Sequence, residues 1–324
     1  MNETAPVAVI VVSWNSARYL ADCLDSLRRL ERAPAERVVV DNGSVDGSSD
    51  LVRERFPEVE LIAGAENLGF CRANNLGVRL TRSPFVLVLN PDTRLEPDFL
   101  ERLLPAFEHP RVGSAAGKLL RFDGRTLDSA GQLLGRSRQP TDRGYGTPDD
   151  GRFDRDEEIF GACGAAALYR REMLQSIADP GECYFDEAFF AFFEDLDVAW
   201  RARNLGWIAA YRHRAIGYHA RGGSADSHRL RRWAAMLGRS AEIRFHVVKN
   251  RYLTILRNDR LGSYVRDLPF ILARDLATVV LLGLTGPRVL LRLWRERALF
   301  AAARGRRRLD AGRPRPELPL GRTG

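Results

Sequence analysis

One stretch decides the fold of this chain: Phe85-Val86-Leu87-Val88-Leu89-Asn90-Pro91-Asp92-Thr93. Its five consecutive apolar residues predict a strand that is buried on both faces of a parallel sheet. Pro91 has no backbone N–H, so we expect the strand to end at Asn90. Asn90 and Asp92 then follow the carboxyl end of a strand, where α/β sheets bind ligands and where a carboxylate suits a divalent cation carrying a diphosphate. The alternative is a simple turn, since these residue types all favour turns.

Three strand-then-helix units precede this stretch. The runs 7–12, 37–40 and 60–63 are predicted strands, and each leads into a predicted helix. Such units build a mostly parallel sheet with right-handed crossovers. The first turn, residues 13–16, has no G-x-G-x-x-G pattern, which argues against a dinucleotide-binding domain.

Polar residues follow two of these strands. Asp41 ends the second strand, and we interpret it as an acceptor for the ring N–H of a nucleobase. The alternative is again structural, since Asn-Gly and Asp-Gly pairs follow it and make tight turns. Asn67 and Asn74 lie in a segment of poor helix formers that still keeps a helical stripe, which indicates amides that face a ligand.

The middle of the chain predicts a less regular region. We expect a helix at 97–108, a strand at 112–116 and a hairpin at the sheet edge over 119–134. Residues 136–158 are predicted to be a mobile loop that orders when ligand binds. The small-residue run 160–169 indicates a strand that something approaches closely, or tight packing of a helix on the sheet.

A second informative stretch runs over residues 185–207. Four phenylalanines, at 189, 190, 192 and 193, precede Glu194, Asp195 and Asp197 at the start of a predicted helix. Acids at a helix N-terminus are favoured by the helix dipole, which is the structural alternative. A carboxylate next to an aromatic wall can instead be desolvated, and its raised pKa then suits a general base.

Two short predicted strands, 207–211 and 215–218, lead to His219 and a Gly-rich loop. A single histidine is usually structural. The position of His219 directly after a strand favours a role in binding metal or phosphate.

Cysteine usage and the N-terminus point to a reducing compartment. Four cysteines are scattered without a C-x-x-C pair, which argues against a zinc cluster and a disulfide framework. Residues 1–6 lack a basic region, and the apolar run 7–12 is too short for a signal sequence. We therefore expect a cytoplasmic protein.

The C-terminal part of the chain is strongly basic. From residue 249 onward there are 17 Lys and Arg and six Asp and Glu, a net charge of +11, so the rest of the chain is near −3. The apolar runs 268–273 and 277–284 are separated by Arg274 and Asp275, and neither reaches the roughly 20 residues of a spanning helix. We expect them to lie on an anionic membrane surface; the alternative is a helical subdomain with a solvated basic face. Nucleic acid is a disfavoured partner because no recognition motif is present.

Taken together and in this order, these stretches resemble the family 2 glycosyltransferases, in particular the rhamnosyltransferase-like branch with the GT-A fold. The matching residues are Val11-Val12-Ser13-Trp14-Asn15, Val40-Asp41-Asn42-Gly43-Ser44, Asn67-Leu68-Gly69-Phe70, Leu89-Asn90-Pro91-Asp92-Thr93, Phe193-Glu194-Asp195 with Arg201 and Gly206-Trp207, and His219 with Gly222 and Ser224. Each motif is weak alone, whereas six in the family's order are specific. The resemblance implies an α/β GT-A fold, with a mostly parallel sheet flanked by helices, and glycosyltransferase activity.

The resemblance also implies roles for single residues. Asp195 matches the catalytic base, with Glu194 as its neighbour, and the base takes a proton from an acceptor hydroxyl that attacks the anomeric carbon with inversion. Asp41 would recognise the pyrimidine of the donor. Asn67 and Asn74 would line the donor site.

Four further residues, Ser13, Asn15, Asn90 and Asp92, are expected at the donor. Asp92 takes the place of the final acid in the metal-binding D-x-D motif. Asn90 replaces the first acid, a departure that lowers the expected metal affinity. His219 matches a histidine that completes the metal site in some members, so Mg²⁺ or Mn²⁺ would be held by Asp92, His219 and the donor's diphosphate.

The sequence therefore predicts transfer of a sugar from a dTDP- or UDP-sugar to a lipid-linked saccharide or polysaccharide at the inner face of the cell membrane; rhamnose is suggested by the branch alone. We expect a catalytic domain over residues 1–227, a helical membrane-surface region over 228–304 and a disordered basic tail over 305–324. A non-catalytic nucleotide-sugar-binding scaffold is the alternative, but a binder needs no base such as Asp195. A nucleotidyltransferase is disfavoured because the first turn lacks a Gly-rich triphosphate loop.

Overall fold

The computed structural model describes residues 4–221, 238 and 240–313. The strands are β1 (Ala5–Ser13), β2 (Pro34–Asp41), β3 (Glu60–Ala63), β4 (Phe85–Leu89), β5 (Thr93–Leu95), β6 (Val112–Leu120), β7 (Leu127–Ser129), β8 (Gln132–Leu134), β9 (Pro140–Asp142), β10 (Glu157–Ile159), β11 (Ala166–Arg170) and β12 (Ile208–His219). The α-helices are α1 (Ala17–Arg28), α2 (Ser48–Arg55), α3 (Phe70–Leu80), α4 (Phe99–Leu103), α5 (Arg171–Ile177), α6 (Glu194–Asn204), α7 (Ala241–Asn258), α8 (Leu261–Thr285), α9 (Pro287–Arg295) and α10 (Ala298–Ala311). Two short 3-10 helices span Leu104–Glu108 and Glu187–Phe189.

A single large sheet organises these elements in the order β10-β12-β6-β11-β4-β1-β2-β3, with β5 paired to β12 and β7 to β6. The strands β3, β2, β1 and β4 are all parallel, as the three strand-then-helix units predict. Val86, Leu87, Val88 and Leu89 are at most 1% exposed, which confirms a strand buried on both faces. Antiparallel β11 lies between β4 and β6, and β12 runs parallel to β6.

The middle of the chain is more ordered than its sequence indicates. The expected hairpin is present, since β6 pairs with β7 antiparallel, but β6 lies between β12 and β11 and not at the edge of the sheet. The segment 136–158 contains β9 and the start of β10, and its ion pairs include one between Arg138 and Asp259 at 2.6 Å. The two short strands expected before His219 form one strand, β12, with a register shift between Arg212 and Ile216.

The C-terminal helices correct two further expectations. Helix α8 joins both apolar runs into 25 residues, which by length and composition is enough to cross a membrane, so the expectation that neither run reaches spanning length is wrong. Helix α10 continues to Ala311, beyond the predicted start of disorder at residue 305. The described residues do not include the expected domain boundary at 227–228, the motif residues Gly222 and Ser224, or residues 314–324.

Candidate active site

The carboxyl ends of the parallel strands meet at one edge of the sheet, which we call the rim. Ser13, the last residue of β1, pairs with Asp41, the last residue of β2. Val11 of β1 pairs with Leu89, the last residue of β4. Asp92 follows three residues later. In-register pairing therefore collects these polar residues along one edge, as expected for an α/β ligand site.

Strand β12 brings His219 to Asp92. His219 pairs with Thr93 across the β12–β5 ladder, and the N–H of Ala220 donates to the carbonyl of Asp92 at 3.0 Å. Nε2 of His219 lies 3.1 Å from Oδ1 of Asp92, and Nδ1 lies 2.9 Å from Oδ2 of Asp128 in β7. Asp128 is completely buried. The imidazole is thus held between two carboxylates.

The residues Asp92 and His219 fit a divalent cation with an incomplete protein ligand set. Burial by itself lowers the pKa of His219, but its hydrogen bonds with Asp128 and Asp92 outweigh this and raise the pKa to about 9. Asp128 engages Nδ1, so Nε2 faces Asp92, which is how a carboxylate commonly orients a metal-binding histidine. Within residues 4–221, 238 and 240–313, no group of three or more His, Cys, Asp or Glu could hold an ion. A cation held by this pair would need further ligands from phosphate and water, and its binding would require His219 to release a proton.

Asp195 lies at the start of α6 and is hydrogen-bonded to the segment that precedes β11. Its Oδ2 accepts hydrogen bonds from Nε2 of Gln132 at 2.6 Å and from the N–H of Gly164 at 2.9 Å. A Cβ at Gly164 would lie 3.3 Å from that oxygen, so the glycine allows the close approach. The carbonyl of Ala165 accepts the N–H of Asn90 at 2.9 Å. Gly164 thus binds Asp195, and its neighbour Ala165 binds Asn90 at the end of β4. Asp195 and the end of β4 therefore lie on the same side of the molecule.

The acids at the start of α6 do not share one role. Asp197 is buried, forms an ion pair with Arg201 at 2.7 Å and accepts a hydrogen bond from Asn258 at 2.8 Å. Burial opposes ionisation of Asp197, but the positive charges of Arg201 and Arg257 lower its pKa overall. Asp197 is therefore a structural residue.

Glu194 and Asp195 form a coupled pair. Glu194 is buried, and its Oε2 has no hydrogen-bond partner among the described residues. Burial, followed by the charge of Asp195, raises the pKa of Glu194 to about 8. Burial also raises the pKa of Asp195, although the N–H of Gly164 opposes that shift. Because Asp195 has the hydrogen bonds, the pair favours a single charge on Asp195 near neutral pH.

The aromatic segment before these acids has an unusual backbone. Phe190, Phe192 and Phe193 have φ angles of 65°, 71° and 70°, in the left-handed region that costs free energy for residues other than glycine. Phe189 and Phe193 are buried, whereas Phe190 and Phe192 are 37% and 41% exposed. The expected wall of four phenylalanines is thus only half buried.

A single side chain from α7 holds this aromatic segment. The Nδ2 of buried Asn250 lies 3.0, 2.7 and 2.8 Å from the carbonyl oxygens of Phe189, Ala191 and Phe192, and its two N–H groups donate among these three acceptors. Nζ of Lys249 donates to the carbonyl of Ala188 at 2.5 Å. The C-terminal helices therefore contribute directly to the backbone that leads into Asp195.

The expected nucleobase contact, Asp41, is already engaged by serines. Its two carboxylate oxygens accept hydrogen bonds from the hydroxyls of Ser44 and Ser49. The neighbouring Ser13 is buried, and its Oγ has no partner among the described residues. A nucleobase N–H would either displace a serine hydroxyl or share a carboxylate oxygen of Asp41 with it.

The expected donor-site asparagines have different surroundings. Oδ1 of Asn15 accepts a backbone N–H from the loop after β2 at 2.9 Å, and Oδ1 of Asn67 accepts the N–H of Gly69 at 2.9 Å. Both side chains shape loops beside the rim. Asn74 has no exposed surface and donates to the carbonyl of Phe70 at 2.9 Å, so the structure does not place it on the wall of the donor site.

Four side chains of the site were not predicted from the sequence: Asp128, Gln132, Arg221 and Asn250. Arg221 forms ion pairs with Asp128 at 2.8 Å and with Asp142 at 2.6 Å. Asp128 and Gln132 lie in the segment expected to be an edge hairpin, where a polar residue among apolar neighbours was the only signal.

Two solved structures with a similar fold contain bound nucleotide sugars. The chain is similar to the mannosyltransferase from Pyrobaculum calidifontis in complex with GDP-Man and Mn²⁺, with a TM-score of 0.55 and 17% identity over 95% of this chain and 85% of that one. It is also similar to S. aureus TarS in complex with UDP-GlcNAc, with a TM-score of 0.53 and 18% identity over 95% of this chain and 81% of that one. These likenesses show that the chain has the GT-A fold.

The sequence comparison gives the family. The family described as Glycosyl transferase family 2 matches residues 8–178, more than half of the chain, and the chain belongs to it. An N-acetylglucosaminyl-diphospho-decaprenol L-rhamnosyltransferase of Mycobacterium tuberculosis is 28% identical over 235 residues, which are 64% of this chain and 74% of the relative. An N-acetylglucosaminyltransferase of Mesorhizobium japonicum is 27% identical over 279 residues, 81% of this chain and 62% of the relative. The predicted family, fold and enzyme class are therefore confirmed.

Proposed function

We propose that this glycosyltransferase moves a sugar, with inversion, from a nucleoside-diphosphate sugar to a hydroxyl of a lipid-linked saccharide, with Asp195 as the general base. The observation that carries the proposal is the position of Asp195, whose Oδ2 is fixed by Gln132 and Gly164 beside the end of β4. A protonated Glu194 next to it leaves the negative charge on Asp195, as a base requires.

The proposed step uses these residues in turn. Asp195 accepts the proton of the acceptor hydroxyl while that oxygen forms a bond to the anomeric carbon. The bond from this carbon to the diphosphate oxygen breaks, and its electron pair stays on the leaving group. Asp92 and His219 would hold a divalent cation, Mg²⁺ or Mn²⁺, which supplies positive charge for the departing diphosphate when bound.

Two donors are supported. The relative from M. tuberculosis is named as an L-rhamnosyltransferase acting on a decaprenol-linked saccharide, which favours a dTDP-rhamnose donor and a lipid-linked acceptor. N-acetylglucosamine from a UDP-sugar is the second candidate, because another relative is named for that sugar. Both bases present a ring N–H, so Asp41 suits either.

Helix α8 supports a place at the inner membrane surface. Leu261, Leu272, Leu276 and Leu284 are between 54% and 80% exposed. Asp275, in the middle of the helix, pairs with Arg251 at 2.6 Å on the packed side. A helix with one uncharged apolar face and a protein-packed polar face suits a position in the plane of the membrane surface.

The test is a donor panel with the full-length protein. dTDP-rhamnose, UDP-GlcNAc, UDP-glucose and GDP-mannose are incubated with and without Mg²⁺ or Mn²⁺, and donor binding and hydrolysis are measured. We expect metal-dependent turnover of a pyrimidine donor, and loss of turnover with retained binding in Asp195→Asn. Undiminished turnover in that variant would remove Asp195 from the role of base. Binding without turnover by the wild type would favour the non-catalytic scaffold.

A further inference from the structure

Residues of α7, α8, α9 and α10 line a cavity of about 660 Å³ that is partly open to solvent. Its walls are mainly apolar and include Ile255, Leu256, Ile271 and Phe300. Its volume lies within the roughly 300–1,000 Å³ that is typical of pockets for small molecules. Among the described residues, its lining shares none with the rim, so it is separate from the donor site.

The acids at this cavity are already neutralised. Asp259 forms a buried ion pair with Arg138 at 2.6 Å, and Asp275 pairs with Arg251 at 2.6 Å. Neither carboxylate is therefore available to balance additional positive charge.

The arginines at the cavity have no such balance. Three exposed arginines line the cavity: Arg297, which lies between α9 and α10, and Arg304 and Arg307 of α10. In the part of the chain that the structure describes, none of the three forms an ion pair with a carboxylate. An apolar interior with unbalanced cations at its edge is complementary to a molecule that has an apolar chain and an anionic head.

The cavity also adjoins the apolar face of α8. Leu261 lines the cavity and is 72% exposed, and Trp294 lines it and is 64% exposed. The guanidinium of Arg297 lies over the indole of Trp294, 4.7 Å from the ring centre. Exposed tryptophan and arginine next to an apolar helix face are typical of a membrane interface.

We propose that this cavity binds an anionic phospholipid of the bilayer, with an acyl chain in the apolar interior and the headgroup phosphate on Arg304 and Arg307. The inference rests on the proposed membrane-surface position of α8. A phospholipid fits better than the lipid-linked acceptor, because the cavity is separate from the rim where the sugar is transferred. The bound lipid would fix the C-terminal helices at an anionic membrane.

The test measures lipid retention by the full-length protein in a nonionic detergent. Phosphatidylglycerol and phosphatidylcholine with identical acyl chains are added in equal amounts, and the retained lipid is identified by native mass spectrometry. The double variant Arg304→Gln/Arg307→Gln is compared with Arg295→Gln/Arg308→Gln, which removes the same amount of charge from nearby positions at the end of α9 and in α10, outside the cavity lining. A third variant, Leu293→Trp, fills the apolar part.

We expect the wild type to retain phosphatidylglycerol at least tenfold better than phosphatidylcholine. Arg304→Gln/Arg307→Gln should lose this preference, Leu293→Trp should lose retention of both lipids, and Arg295→Gln/Arg308→Gln should resemble the wild type. Equal losses in the two double variants would show general charge attraction and overturn the site, as would preferential retention of a lipid-linked saccharide. Donor hydrolysis without acceptor, measured on the same samples, is expected to be unchanged; its absence in the wild type would count against the proposed function and leave the lipid result standing.

Discussion

At the scale of single residues, two adjacent carboxylates differ because of their hydrogen bonds. Glu194 and Asp195 share the first turn of α6, so the helix dipole acts on both. Asp195 accepts N–H groups from Gln132 and Gly164, whereas one oxygen of Glu194 is buried without a partner among the described residues. Ionisation of one also opposes ionisation of the other. The proton of the pair is therefore held by Glu194.

This difference predicts a pH-dependent stability. The pKa of Glu194 is about 8 in the folded protein and 4.5 ordinarily, so between these pH values the unfolded chain releases a proton that the folded protein keeps. Wild-type stability should therefore fall as pH rises through that window. Glu194→Gln has no proton to lose, so we expect its stability relative to wild type to rise by more than about 1 kcal/mol between acidic and mildly alkaline pH.

Urea unfolding of both proteins at several pH values measures this change. Glu108→Gln, an exposed residue, is the matched control and should follow the wild type. Parallel pH curves for Glu194→Gln and Glu108→Gln would contradict the assignment of the proton.

A second residue-scale prediction concerns Gln132. Its amide stabilises the ionised form of Asp195, so Gln132→Ala should raise the pKa of Asp195 further. The acidic limb of the kcat/KM profile should then move to higher pH, with a loss of about tenfold on that limb and less above it. Gln175→Ala, on an exposed position of α5, serves as control. A uniform loss at every pH would indicate a structural role instead.

At the scale of elements, the contact between α7 and the aromatic segment supports the backbone that leads into Asp195. The two N–H groups of Asn250 donate among three carbonyl oxygens of a backbone in which three phenylalanines have positive φ angles. Such a conformation persists only where its surroundings hold it. Helix α7 therefore stabilises the backbone conformation of the aromatic segment that precedes Asp195.

We expect Asn250→Ala to lower kcat by at least about tenfold while donor affinity changes little, because the aromatic segment leads to the base and not to the diphosphate. Stability should fall by roughly 1–3 kcal/mol, since buried carbonyls lose their donor. Steady-state kinetics, donor titration and thermal unfolding measure the three effects. Asn204→Ala removes a single hydrogen bond, to the carbonyl of Asn258, and is the control. Equal effects of the two substitutions would argue against a special role of Asn250.

The apolar face of α8 gives another prediction. Leu272→Glu/Leu276→Glu places charges on a surface that we expect to enter the membrane interface, so binding to vesicles containing phosphatidylglycerol should weaken by at least about tenfold. Flotation of the full-length protein with vesicles measures the bound fraction. Leu80→Glu, at an exposed leucine of α3, should bind like the wild type. Undiminished flotation of the α8 variant would exclude this face from the interface.

The elements show which features follow from local sequence. Strand β4 and the preceding strand-then-helix units could be predicted because burial on both faces leaves an uninterrupted apolar run. The sequence predicts two separate apolar runs where the structure has one helix, α8, because Arg274 and Asp275 interrupt the apolar residues. Asp275 finds its partner, Arg251, on another helix, and only the tertiary structure supplies that contact.

The candidate site divides in the same way. His219 ends β12 and Asp92 lies three residues after the end of β4, so their position at the rim could be inferred from the strand ends. Asp128 and Gln132 act through partners 91 and 63 residues away in sequence, and no local pattern marks such pairs. Asn74 has a suitable residue type in a suitable motif, yet its helix turns it into the interior.

At the scale of the whole molecule, buried ion pairs join the α/β body to the C-terminal helices. Arg257 of α7 is 1% exposed and contacts Asp179 at 2.7 Å, Asp186 at 3.4 Å and Asp310 of α10 at 2.8 Å. Arg306 of α10 contacts Asp186 at 3.1 Å. Removing the chain after residue 260 would delete Arg306 and Asp310, the residues of this network that lie in α10. Point substitutions are therefore the appropriate test of the C-terminal helices.

The network predicts that body and helices unfold together, and that Arg257→Met destabilises both. Removing the guanidinium leaves neighbouring buried carboxylates uncompensated, which costs on the order of 3–5 kcal/mol when one partner of a buried ion pair is lost. Calorimetry should show one transition for the wild type and one transition at lower temperature for Arg257→Met. Arg260→Met, an exposed arginine just after α7, should leave the transition unchanged. Two separate transitions, with only the smaller one shifted in Arg257→Met, would mean that the helices fold as an independent unit and that the ion pairs do not couple them to the catalytic body.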